Sequence, residues 1–166
     1  PIRCPKRIPE MKIGIISDSH DDIPATQQAI RIMKEHGCGF LIHAGDLCSP
    51  FIARIIRESG LQHAAVFGNN DGDRIALSRI IDITAAPRRI EVDGRIVAIF
   101  HEPLMNDCID PSRVNVLIYG HTHIQETARR QNMVIVNPGA LSGILVDRKT
   151  CAFYDTKTGE VESVEI

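Results

Sequence analysis

Five apolar runs of strand length, at residues 12–16, 39–44, 63–67, 95–100 and 114–119, each stop abruptly in polar residues. This recurrence constrains the fold more than any other feature of the chain. The runs lead into Ser17-Asp18-Ser19-His20, Gly45-Asp46, Gly68-Asn69-Asn70-Asp71-Gly72, His101 and Gly120-His121-Thr122-His123. Short apolar runs bounded by Gly, Ser or Asn read as buried strands. The carboxyl ends of parallel strands share one edge of a sheet, where ligands usually sit. Residues i and i+2 past a strand end project to the same side, so Asp18 can meet His20, and His121 can share a face with His123.

Helical signals fill the gaps in the first half. Pro24 sits in a first turn behind Asp21 and Asp22; Ala29, Ile30 and Met33 form an apolar stripe, and Gly37 suits the C-terminal cap. Ser49 reads as an N-cap with Pro50 at the first helical position, Ile52, Ile55 and Ile56 as the buried face and Gly60 as the stop. Asp73 caps a third predicted helix that runs through Ile80 and Ile81. Such alternation predicts a largely parallel sheet with helices on its outer face. From Pro87 the pattern changes: Ile90 and Val92 alternate with polar residues up to Asp93-Gly94, a two-residue hairpin signal. Further strands are predicted over residues 126–130, 133–136, 143–146, 151–154 and 161–166. A β-rich half packed on an α/β half predicts two sheets face to face. Residues 104–113, which include Pro111, leave little room for a long helix or a substrate cap, so an open site is expected.

The 166 residues suit one domain with its own core, placed here at residues 11–166. The first ten residues carry three prolines and three basic residues without periodicity and are expected to form a leader outside the fold. A net charge of -2 argues against a nucleic-acid arm or an anionic-membrane patch, so phosphate recognition must be local. Five scattered cysteines without a Cys-x-x-Cys pair argue against a disulfide framework or zinc ribbon and for the reducing cytoplasm. No apolar run is long enough to predict a membrane span.

Taken singly, each polar strand end has an ordinary reading: a surface histidine pair, a helix-cap turn, a tight loop at Asn69-Asn70-Asp71-Gly72, a hydrogen-bonded interior histidine. None of these explains why all five fall at strand ends. Together Asp18, His20, Asp46, Asn69, His101, His121 and His123 offer too many ligands for one ion but suit two divalent ions sharing a carboxylate. Mixed N and O ligands without thiolate favour Mn, Fe, Co, Ni or Zn over Mg or Ca. His36, His43 and His63 are expected to be structural, with His43 at most a supporting contact for Asp46.

In order and spacing these motifs resemble the signature of the calcineurin-like metallophosphoesterases, and the compact length resembles their small single-domain phosphodiesterase branch. The resemblance spans residues 11–166. It implies an α/β fold, a four-layer α/β/β/α sandwich of two packed mixed sheets with flanking helices and a dinuclear site on their upper edge. It implies that Asp18, His20, Asp46 and His123 hold one metal and that Asp46, Asn69, His101 and His121 hold the other, with manganese favoured. Asn137-Pro138-Gly139-Ala140 resembles a family loop near that edge. Two divalent ions with two ionised aspartates leave a local charge of about +2, enough to bind a small phosphate ester. A water bridging both ions has its pKa lowered from about 15.7 toward roughly 7, and the expected reaction is in-line attack of that hydroxide on phosphorus. The expected catalytic set is Asp46, Asn70, Asp71 and Glu102.

Two departures bear on the ester class. Many family members have a histidine at the position of Asn70, where it helps the leaving oxygen; an amide cannot donate a proton at neutral pH. Activated aryl phosphodiesters are therefore expected to outpace alkyl phosphomonoesters. After His101, where the family often has Gly and His, this chain has Glu102-Pro103, and Glu102 either replaces an acid or repels highly charged esters. Arg74, Asn106 and Arg113 are weaker candidates for phosphate contacts. An open site implies low selectivity, or selectivity supplied by a neighbouring subunit of a homo-oligomer. The rivals are a scaffold like the family's retromer subunit, a phosphomonoesterase, and a nuclease, the last disfavoured by the lack of a basic, aromatic-bearing groove.

Overall fold

A computed structural model of the chain describes residues 11–144 and 146–166; the expected leader lies outside them. The chain alternates β1 (Lys12–Ile16), α1 (Ile23–Glu35), β2 (Cys38–His43), α2 (Pro50–Glu58), β3 (Gln62–Val66), α3 (Arg74–Ile80) and a two-residue strand β4 (Ile83–Thr84). Caps set these helices as the sequence predicts. Asp22, Ser49 and Asp73 accept from the backbone N–H groups of Ala25, Phe51 and Ala76. The second half adds the hairpin β5 (Arg88–Val92) and β6 (Arg95–Ile99), a 3-10 helix (Pro103–Cys108), β7 (Val116–Ile118), β8 (Glu126–Arg130), β9 (Met133–Asn137), β10 (Thr150–Asp155) and β11 (Val161–Glu165).

The strands form two mixed sheets, ordered β11-β10-β1-β2-β3-β4 and β5-β6-β7-β9-β8. Side-chain alternation divides the core. Ile13, Ile15, Ile42, Val66 and Tyr154 meet Val97, Ile99, Val116, Ile118 and Val136 between the sheets. Their neighbours Ile16, Leu41, Ala65 and Phe153 turn the other way, against Ala29, Met33, Ile52, Ile56 and Leu77 of the helices. Gly14 lets α1 approach, since a Cβ there would stand 2.6 Å from Met33 Sδ. The expected four-layer α/β/β/α sandwich is the observed fold. Its fourth layer is thin: Ile109, at the end of the 3-10 helix, packs with Ala98, Phe100, Leu117 and Tyr119 on the outer face of the second sheet.

Two local expectations are corrected. The last two strands, expected with the β-rich half, return to the first sheet, where β10 pairs antiparallel with β1. Burial of β10 on both faces explains this: Cys151 and Phe153 pack under the helices, while Ala152 and Tyr154 face the second sheet. The strand predicted at residues 143–146 is absent from the described residues; Gly143 and Ile144 lie in a turn, and residue 145 is not described. The preceding amides of Leu141 and Ser142 instead donate to the carbonyls of Ser17 and Asp18, which fastens this segment to the end of β1.

Candidate metal centre

The five predicted strand ends meet at one edge of the sandwich, with Asp18 and His20 after β1, Asp46 after β2, Asn69 after β3, His101 after β6, and His121 and His123 after β7. Backbone hydrogen bonds lock the first two loops together: Asp18 N donates to Gly45 O at 3.0 Å and His20 N to Asp46 O at 3.1 Å. Asp46 Oδ2 lies centrally, 3.6 Å from His20 Nε2 and 3.4 Å from His101 Nε2. On one side His123 Nε2 is 3.3 Å from both Asp18 Oδ1 and His20 Nε2. On the other, His101 Nε2 and His121 Nδ1 each lie 2.9 Å from Asn69 Oδ1. The grouping is that of two half-sites meeting at Asp46.

Strand alternation does not produce this convergence. β1 ends at Ile16, and Asp18, His20, Asp46, His121 and His123 all adopt the left-handed region, with φ of 52°, 40°, 59°, 67° and 60°. Non-glycine residues there carry a conformational cost that clusters at functional sites. His121 and His123 therefore diverge, one into each half. Two glycines admit the loops: a Cβ on Gly68 would stand 2.1 Å from Asp46 Oδ1, and one on Gly120 would stand 2.7 Å from Asp18 Oδ2.

Burial pushes the Asp18 carboxyl above its ordinary pKa. Its Oδ1 is buried and accepts no hydrogen bond. A carboxylate oxygen enclosed without a donor is costly, and a divalent cation is the partner that relieves it. Burial also opposes ionisation of Asp46, but hydrogen bonds from His101 and Asn70 outweigh it and hold that carboxyl well below the usual range. At His101 burial is outweighed by the Asp46 carboxylate and the Ala44 carbonyl, which raise the imidazole pKa. His101 Nδ1 lies 2.8 Å from Ala44 O, and His20 Nδ1 lies 3.4 Å from Cys48 Sγ. Both rings therefore turn Nε2 into the site, the arrangement of supported metal-binding histidines. Carboxylate, amide and imidazole donors in this disposition fit divalent metal.

Among the other expected site residues, Asn70 turns inward: its N–H and Nδ2 donate to the two oxygens of Asp46 at 2.8 and 2.7 Å. Asp71 is buried, and its carboxylate accepts from the backbone N–H groups of Asp46, Cys48 and Gly68 at 3.1, 2.8 and 2.7 Å. It ties the loops after β2 and β3 together. Glu102 is exposed beside His101. His43, whose pKa falls to about 3 through burial, lies 3.0 Å from Ser19 Oγ and supports the first loop. Arg74 donates to the carbonyls of Gly68 and Asp71. Arg113 pairs instead with Asp110, and Asn106 is held through its carbonyl by Arg130. Asn137 donates to Gly120 O and Thr122 Oγ1, bracing the His121-Thr122-His123 turn.

Residues 11–159 match the calcineurin-like phosphoesterase superfamily domain. The chain belongs to this superfamily. It is 30% identical to a phosphodiesterase of Methanocaldococcus jannaschii over 163 residues, covering 93% of this chain and 98% of the relative. A solved archaeal phosphodiesterase, 30% identical, superposes with a TM-score of 0.87 over 94% of this chain and all of its own. Chaetomium thermophilum Vps29, at 13% identity, shares the fold with a TM-score of 0.69 over 94% of this chain and 95% of its own. The superfamily match and the relatives named as phosphodiesterases support the phosphoester hydrolase that the motifs implied. The sequence did not reveal the superfamily member's cleft walls. Phe67, Pro87, Phe100 and Leu104 frame an opening beside Asn69 and His101, and nothing but proximity to the motifs marks them in the sequence.

Proposed function

We propose that this chain is a metal-dependent phosphodiesterase acting on small phosphodiesters in the cytoplasm. The observation that carries it is the position of Asp46 Oδ2 between His20 and His101, with a half-site on either side. Asp18, His20, Asp46 and His123 hold one ion, and Asp46, Asn69, His101 and His121 the other, with manganese favoured. Bound there, two divalent ions supply Lewis-acid activation of water near neutral pH and neutralise charge on the phosphoryl oxygens.

The chain's own residues decide the ester class. Asn70 donates its amide hydrogens to Asp46 and has no proton to give a leaving alkoxide. Good leaving groups are therefore favoured, in keeping with relatives named as phosphodiesterases. Glu102, exposed beside His101, repels esters with a second negative charge. Asp71 acts as a positioning residue through the backbone it holds. The unpaired state of Cys38, Cys48, Cys108 and Cys151 suits a reducing compartment. No helix among the described residues is long and apolar enough to cross a membrane.

Reconstitution with Mn, Ni, Fe, Co or Zn in turn, with mono- and diester assays in parallel, tests the reading. At least tenfold faster turnover of bis(p-nitrophenyl) phosphate than of an alkyl monoester is expected. A fully metal-loaded chain that hydrolyses neither would overturn it in favour of a binding scaffold.

A further inference from the structure

A cleft of about 560 Å³ opens beside the second half-site, and Asn69 and His101 belong to both. Its volume lies within the roughly 300–1,000 Å³ of small-molecule sites. Phe67, Pro87, Phe100 and Leu104 form its apolar part, and polar atoms make up about as much of the lining. Leu104 is 80% exposed, a large aliphatic side chain left in water where the 3-10 helix begins. Arg74 also lines the cleft, but its Nε and Nη2 are engaged by the carbonyls of Asp71 and Gly68 and its guanidinium lies 5.1 Å above the Phe67 ring. The Glu102 carboxylate stands in the same wall and opposes a second anion.

We propose that this cleft is the subsite for the organic group the diester retains, and that it selects an uncharged, flat apolar group such as an aryl ring. The inference rests on the phosphodiesterase reading. In an in-line displacement the leaving group departs opposite the attacking oxygen, away from the floor of ligands. A retained group lying sideways would reach the cleft, which shares Asn69 and His101 with the second half-site. A phosphodiester carries its single charge on the phosphoryl group, so its second substituent can be neutral. A monoester has no such substituent to fill the cleft.

The metal-reconstituted chain is titrated calorimetrically with diphenylphosphinate and dimethylphosphinate, both monoanions whose C–P bonds resist hydrolysis. The open cleft covers only part of a ring, so about tenfold tighter binding of diphenylphosphinate is expected. Leu104→Ser and Ala86→Asp, both at exposed positions, should each cut that preference to threefold or less. Equal affinities in the native chain, or a preference that both variants leave intact, would overturn the subsite. In parallel, phenyl and methyl p-nitrophenyl phosphate share a leaving group, and the phenyl ester should show the lower KM. Turnover of both without an aryl preference refutes the subsite alone. An aryl preference in binding without turnover of either ester refutes the phosphodiesterase reading and leaves the cleft as an aryl-anion site.

Discussion

The two halves of the metal centre differ in how they are held ready. Around Asp18, His20 and His123 the carboxylate is enclosed: Asp18 is fully buried, one of its oxygens has no donor, and burial raises its pKa. Around Asn69, His101 and His121 the polar atoms already bond one another, and Asn69 and His121 face solvent beside the open cleft. The first half adds a carboxylate of its own to the shared Asp46, whereas the second adds a neutral amide. On the proposed division of ligands, a cation should therefore bind more strongly in the first half, next to the buried Asp18 oxygen that has no donor. The second half gains less from a metal because its groups already have partners, and it lies nearest the space left for substrate.

The largest expected effect removes the comparison altogether. Asp46→Ala should abolish binding in both halves and lower diester turnover on the order of 10³-fold or more. Metal content and turnover are read on the same sample, and a metal-free mutant with normal turnover would end the dinuclear reading. Next in size is the asymmetry itself. Metal titration should show two steps, with Asn69→Ala weakening only the looser one by roughly 10- to 100-fold and Asp18→Asn eliminating the tighter. Two equal steps in the native chain would show that the halves do not differ. Asp18→Asn should also raise the thermal stability of the metal-free chain, by about 1 kcal/mol, because a buried carboxylate with a donor on only one oxygen is gone. Calorimetric unfolding without metal checks the sign.

Smaller effects come from the residues that hold the halves in register. Asp71→Asn leaves three backbone amides facing a weaker acceptor and should cost about 1–3 kcal/mol. Diester turnover should fall with it, while the pH profile of the surviving activity keeps its shape, as a positioning role requires. The smallest concerns Lys149 and Asp22, which anchor the segment after Ser142 to α1, with Lys149 Nζ 2.6 Å from Asp22 Oδ2. Burial of Asp22 is outweighed by its Lys149 and Ala25 hydrogen bonds, so its pKa is lowered. A lowered carboxyl stabilises the fold above its ordinary pKa of about 3.9 and loses that contribution as pH falls through the depressed value. The pair is partly exposed, so Asp22→Asn should cost no more than about 1 kcal/mol at pH 7 and nothing in strong acid. A constant difference across denaturant curves from neutral to acid pH would contradict this.

Much of the fold was legible because it rests on local rules. Continuous apolar runs marked β1 and β2 as buried strands, and Asp22, Ser49 and Asp73 marked the helix starts. The return of β10 to the first sheet was not legible, since its partner β1 lies far away in sequence. The same limit hid the segment after Ala140, whose amides are taken by Ser17 and Asp18 far away in sequence.

By itself the sequence determined that seven metal-competent side chains follow five strands, because polar residues that interrupt buried apolar runs fall where strands end. Only the tertiary structure decided how they divide. His121 and His123, two residues apart, part into opposite halves through left-handed backbone that strand periodicity does not encode. Asp71 became a fastener because loops after different strands lie within hydrogen-bond reach of it. The cleft follows from the meeting of three connections distant in sequence, at Phe67, Pro87 and Leu104, whose proximity no local pattern could specify.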